Sequence, residues 1–134
     1  MNNNRSMPSS VIIPELPYQD VREAAEWLCR AFGFTERLRI GSHRAQLTLG
    51  TGSIVITQGG NAASAACAVM VRVGDLDSHY AHAVQAGVHI LNPPSDYPYG
   101  ERQYTAIDLA EHRWTFSQTI ADVAPAVWGG VLLR

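Results

Sequence analysis

One pattern occurs twice in this chain and limits what it can fold into: a short apolar strand, an aspartate, an amphipathic helix, a glycine and then three short strands. The first copy opens with "VIIPELPY" and continues through "QDVREAAEWLCRAFGF", where Asp20 stands at an N-cap position. Val21, Ala24, Ala25, Leu28 and Phe32 recur at helical spacing, and Gly33 ends the helix. In the second copy "AVMVRV" is the strand, Asp75 or Asp77 caps, and Leu76, Tyr80, Ala83 and Val84 mark a helix that stops at Gly87. Three strands with glycine-rich turns follow in "RLRIGSHRAQLTLGTGSIVITQ", and three more, with one longer loop, in "HILNPPSDYPYGERQYTAIDLAEHRWTFSQ". Each copy closes on a hydroxyl residue and a glutamine, Thr57-Gln58 and Ser117-Gln118.

Two such modules predict an α+β domain, with a βαβββ unit over about residues 11–58 and another over 68–118. Each sheet buries one face under a helix, so the helices sit outside and the free faces curl as a mixed sheet around a cleft. Residues 1–10, "MNNNRSMPSS", read as a flexible polar tail, and residues 119–134 as an apolar tail that packs on the domain or on a partner subunit. The length, 134 residues, suits one such domain.

Composition removes several classes of function. A net charge of -2 supplies no basic field, so no nucleic-acid partner is expected. The ten basic residues are all arginine, which excludes a Schiff-base lysine or a lysine general base within this sequence. Cys29 and Cys67 have no Cys-x-x-Cys spacing, which predicts reduced thiols and a cytoplasmic setting. No apolar run reaches the roughly 20 residues that a spanning helix needs, so no membrane association is expected.

The segments "IPELPYQDVREAAEWLCRAFGF", "VMVRVGDLDSHYAHAVQAG" and "YGERQYTAIDLAEHRWTFSQ" together resemble the vicinal oxygen chelate superfamily, which holds the glyoxalase, bleomycin-resistance and extradiol-dioxygenase proteins. The likeness spans about residues 11–118. It implies the paired-module fold, whereas the functions hosted by that fold range from isomerases and dioxygenases to drug-binding proteins without catalysis. Members of this length commonly pair, so the resemblance also implies a homodimer.

Metal-using members of the superfamily place His, Gln or Glu at one inward position on each of four strands. Carried onto this chain, those positions fall at Ile13, at Ile56 (or Ile54), at Ala68 and at Thr115. Apolar side chains and a threonine do not hold a divalent ion, so no metal and no cofactor is expected. The reserves along the same strands are Glu15, Gln46, Gln58 and His43.

Alternation along the last strand turns Arg113, Thr115 and Ser117 toward the cleft, with Trp114 and Phe116 toward the helix layer. His112 then reads as a turn histidine bonded to backbone or Asp108, and Asp108 as a turn residue. His79 and His82 share an outward helical face in this reading, and His43 and His89 lie alone.

The resulting expectation is metal-free binding or sequestration of a small aromatic or amphiphilic molecule, with no turnover. Its site is lined by Ile13, Glu15, Ile56, Met70, Arg72, Arg113 and Thr115, with Tyr97, Tyr99 and Arg102 at the mouth. Two alternatives stand beside it. One is a metal-dependent lyase, isomerase or dioxygenase; the other is a cofactorless enzyme that uses Glu15 or an arginine to move a proton.

Overall fold

The structure, a computed structural model, describes residues 4–59 and 67–133. Both modules form as expected. The first runs β1 (Glu15–Tyr18), α1 (Val21–Phe32), β2 (Thr35–Ile40), β3 (Arg44–Leu49) and β4 (Gly52–Gln58). The second runs β5 (Ala68–Arg72), α2 (Leu76–Gln85), β6 (His89–Tyr97), β7 (Glu101–Ile107) and β8 (Arg113–Thr119). Each makes a four-stranded mixed sheet, ordered β1-β4-β3-β2 and β5-β8-β7-β6, in which the first strand runs parallel to the last. The chain divides into two compact units, residues 1–67 with 109–112 and residues 68–108 with 113–134. No described helix is long and apolar enough to cross a membrane.

In the first unit the Asp20 carboxylate accepts from the Glu23 amide at 3.0 Å and starts α1, and Gly33 closes it in the left-handed conformation at φ 85°. The helix buries Val21, Ala24, Ala25, Leu28, Ala31 and Phe32, and the sheet buries Leu16, Ala45, Leu47, Ile54 and Ile56. Register makes these strand residues one face, since Ile56 pairs with both Leu16 and Ala45 and Ile54 pairs with Leu47. His112 is wholly buried, and its ring meets that of Tyr18 edge-on at 4.6 Å. It is a core residue of the first unit.

Arg22 of α1 and Arg39 both reach Glu36 on β2, and Arg22 does so with two nitrogens. The Arg22 hydrogen bond, reinforced by Arg39, holds the Glu36 carboxyl below its ordinary range. A depressed folded-state value gives stability that is present above the unfolded carboxylate value and is lost as pH falls through the folded one. Glu36→Gln is therefore expected to lower the melting temperature at neutral pH and to match the wild type under acid below both values. Thermal melts across pH check this, and a constant gap at all pH values would contradict it.

In the second unit Asp75 caps α2 by accepting from the Ser78 amide at 3.1 Å. Tyr104, Ala106, Trp114 and Phe116 are buried on the face that meets α2. The Trp114 indole N–H donates to Asp108 Oδ2 at 3.0 Å, which gives Asp108 a side-chain acceptor role inside the fold. Three expectations need correction here. His79 is half-buried, not outward: its Nδ1 lies 2.6 Å from the Tyr104 hydroxyl and its ring 4.3 Å from that of Phe116. Val84, expected in the buried stripe, is 50% exposed, and the buried stripe of α2 is Leu76 and Ala83 with His79 half-buried beside them. The "NPPSDYPYG" stretch, read within the longer loop, is mostly strand, because β6 runs through Pro93 and Pro94 to Tyr97. As an edge strand with two irregularities in register it can spare the missing N–H groups.

The chain after β8 returns along the β6–β7 turn. The amides of Ile120 and Ala121 donate to the Gly100 carbonyl, and Trp128 packs edge-on against Tyr99 at 5.3 Å. Beyond it Val131, Leu132 and Leu133 are more than four-fifths exposed. Residues 5–10 of the stretch expected as a flexible tail are hydrogen-bonded to the first sheet, while residues 1–3 lie outside the described part. Both cysteines are free thiols, and burial pushes the Cys29 thiol up, away from the reactive thiolate.

Candidate functional site

Helices cover one face of each sheet, so the other face is where side chains remain available. On the second sheet β5 and β8 pair with Met70 opposite Thr115 and Arg72 opposite Ser117. Ala68, Met70 and Arg72 therefore share a face with Arg113, Thr115, Ser117 and Thr119, and β7 adds Glu101, Gln103 and Thr105.

This face carries a continuous hydrogen-bonded row. The Tyr99 hydroxyl donates to Gln103 Oε1 at 3.2 Å, Gln103 Nε2 donates to Ser117 Oγ at 3.0 Å, and Ser117 donates to Glu101 Oε1 at 2.6 Å. Thr119 donates to the other Glu101 oxygen at 2.6 Å, and Arg72 donates to Thr119 at 2.6 Å with Glu101 at 3.9 Å. The two hydroxyl donors, Ser117 first, hold the Glu101 carboxyl below its ordinary range, so it stands as a fixed anion and a weak base. Beside the row, Thr105 and Thr115 share a hydrogen bond at 3.0 Å.

Among the expected site residues, Met70, Arg72, Arg113 and Thr115 thus come together on one face. Met70 is 65% exposed, and Arg113 is exposed with no ion pair among the described residues. Tyr97 and Tyr99 stack at 5.5 Å and, with Trp128, form an aromatic edge tied to the row through Tyr99.

Arg102 does not join them. It lies on the opposite face of β7, held by Asp77 at 3.0 Å and Asp96 at 2.7 Å, in an open groove of about 640 Å³ at the start of α2. Of the residues in the first unit, Glu15 is exposed on the helix-free face with Arg44 at 3.6 Å, and Ile13 is half-buried just before β1. Ile56 faces α1 and has no exposure, so it lines no open face; Val55, which pairs with Glu15, holds that orientation instead. Ser117 was already turned to this face by the alternation that places Thr115, and the positions missed by sequence reasoning are Glu101, Gln103 and Trp128. The first two follow once the register of β7 on β8 is known.

Fit to a divalent ion can be judged from the donors. Among the described residues no group of three or more His, Cys, Asp or Glu side chains converges. On the open face of the second sheet the carboxylate is Glu101, whose oxygens already accept from two hydroxyls, and beside it stand Met70 and Thr115. These residues do not fit the ion that metal-using relatives of the fold hold.

Comparison with known proteins places this geometry. A family model described as Glyoxalase/Bleomycin resistance protein/Dioxygenase superfamily matches residues 11–116. The solved structure of TioX from Micromonospora sp. ML1 is 34% identical, covers 83% of this chain and 99% of its own, and superposes with a TM-score of 0.73. A glyoxalase/bleomycin resistance protein/dioxygenase from Alicyclobacillus acidocaldarius is 16% identical over 86% of this chain and 95% of its own, with a TM-score of 0.65. The fosfomycin resistance protein FosX from Mesorhizobium loti is 17% identical over 84% of this chain and 93% of its own, with a TM-score of 0.64. Among curated proteins none matches.

Proposed function

This chain belongs to the Glyoxalase/Bleomycin resistance protein/Dioxygenase superfamily, and on that premise we propose that it binds a small aromatic or amphiphilic molecule, without a metal ion, on the open face of its second sheet. The observation that carries the reading is Met70, an apolar side chain left 65% exposed between Arg72 and Arg113 on that face. A thioether packs well against an aromatic ring, and the Tyr97, Tyr99 and Trp128 edge offers more such surface. Arg113 is free to pair with an acidic group, whereas Arg72 is engaged by Thr119 and Glu101. The role is retention of the molecule, since Glu101 is too weak a base and too fully hydrogen-bonded to move protons. Pairing with a second copy of the chain belongs to the same proposal, supported by the exposed Val131, Leu132 and Leu133.

Titration with 2-naphthoate in the presence of a chelator tests the binding. The expected result is saturable binding that Arg113→Ala weakens roughly tenfold, about 1.4 kcal/mol, and that Met70→Glu removes. Thermal shift across divalent metals and elemental analysis of chelator-free protein test the rival. Stabilisation by a metal ion alone, together with turnover of a catechol or thiol adduct, would sink the binding proposal.

A further inference from the structure

We propose that the helix-free face of the first sheet is a peptide-docking surface, and that residues 5–10 of the same chain are its resident, displaceable occupant. Two contacts run from side-chain tips of the sheet to main-chain carbonyls of the segment, and two run from a serine of the segment to residues 51 and 53. Arg37 Nη2 donates to the Arg5 carbonyl at 2.8 Å and Gln46 Nε2 to the Ser6 carbonyl at 2.8 Å. Arg37 Nη1 donates to Gln46 Oε1 at 2.6 Å, which fixes the amide so that its N–H group points at the segment. Farther along, Ser10 donates to the Thr51 carbonyl at 2.8 Å and shares a second hydrogen bond with the Ser53 hydroxyl at 2.8 Å. Pro8, between these anchors, is buried, while its neighbours Met7 and Ser9 are exposed.

That set of contacts reads two carbonyls of a turn, which the Met7 amide closes on the Asn4 carbonyl at 3.1 Å, together with a buried proline and the Ser10 hydroxyl. Main-chain carbonyls are common to every peptide, so the chemistry accepts a segment that places two carbonyls, a proline and a hydroxyl at this spacing. The manner of attachment also makes the occupant removable. β1 joins the same sheet through a parallel ladder with β4, whereas residues 5–10 make no main-chain hydrogen bond to any strand among the described residues. Strand pairing holds the first; four hydrogen bonds that each involve a side chain hold the second.

The internal repeat supports the assignment independently. Gln46 stands in "RAQLT" of β3 and Gln103 in "ERQYT" of β7, the same place in each module, one residue before the helix-facing Leu47 and Tyr104. Both glutamines are nearly fully buried on the helix-free face, and each has its amide satisfied from outside its own strand. In the second unit the Tyr99 and Ser117 side chains do this, and in the first Arg37 of β2 and the N-terminal segment do. The first face is completed by a chain laid over it.

The test uses the full chain and a fluorescent peptide of residues 1–13. Pro8→Asp loosens the resident segment and leaves the face intact, so this variant is expected to bind the labelled peptide at least tenfold more tightly than the wild type, and Pro8→Asp with Gln46→Leu to lose that gain. Trypsin supplies a second readout, since release of the N-terminal pentapeptide by cleavage after Arg5 is expected to be at least tenfold faster in Pro8→Asp and in Gln46→Leu. Equal peptide binding by wild type and Pro8→Asp, or equal rates of pentapeptide release, overturns the proposal. A dimer that Pro8→Asp converts to monomer overturns the same-chain assignment and gives the face to a second copy.

Discussion

Replacing Trp114 with alanine is expected to cost about 3–5 kcal/mol of unfolding free energy. The side chain is fully buried, lies near-parallel to Phe116 at 6.5 Å, and donates its indole N–H to Asp108, itself 5% exposed. Truncation removes the largest side chain of the second unit's core and takes a donor from a carboxylate held inside the fold. Trp114→Phe separates these contributions, because the ring is largely kept and the N–H is lost; it is expected to cost about 1–3 kcal/mol. Urea unfolding followed by circular dichroism measures both. A loss below about 1 kcal/mol for the alanine variant would mean that the site collapses around the gap or that the indole is not a core element.

Gly100→Ala carries the next largest effect. Gly100 has φ 84°, and a Cβ there would lie 2.3 Å from the Ala121 carbonyl oxygen, a main-chain atom with no rotamer to yield. Strain at such a position costs about 1–3 kcal/mol, and relief requires the segment after β8 to lift away from the Gly100 carbonyl that anchors Ile120 and Ala121. The local consequence is separation of Trp128 from Tyr99. Thermal unfolding is therefore expected to shift down, with a red shift and added solvent quenching of tryptophan emission before the main transition. Unchanged emission would show that the tail keeps its seat.

The modules were legible because three helix ends carry a plain signal: Asp20 and Asp75 cap as their spacing implies, and Gly33 takes the left-handed turn. Faces were legible only where polarity alternates. β8 reads "RWTFSQT", so Trp114 and Phe116 separate from Arg113 and Thr115 without ambiguity. β4 reads "GSIVITQ", with Ile54, Val55 and Ile56 all nearly fully buried, and alternation in an apolar run carries no phase. That is why Ile56 was expected on the wrong face. Val55 is buried on the helix-free side, the side on which Gln46 and Ser53 lie under residues 5–10, a polar segment with no periodicity to announce it.

Arg102 failed for a different reason. Its place beside Tyr99 in sequence suggested a shared mouth, but successive strand residues point apart, and Asp77 and Asp96 draw the guanidinium to the helix side. The proline-rich stretch before it was read as a loop because prolines interrupt ladders. An edge strand has one side that needs none.

The grouping of residues 109–112 with the first unit bears on how the chain is made. His112 fills the space beside Tyr18 with no exposure to solvent, yet it comes more than 50 residues after the first sheet's last strand. As the nascent chain leaves the ribosome, N-terminal domains commonly fold first. Here the first module emerges with a vacancy in its interior that only the β7–β8 turn fills. Its own core is therefore finished late in synthesis, by residues translated with the second module.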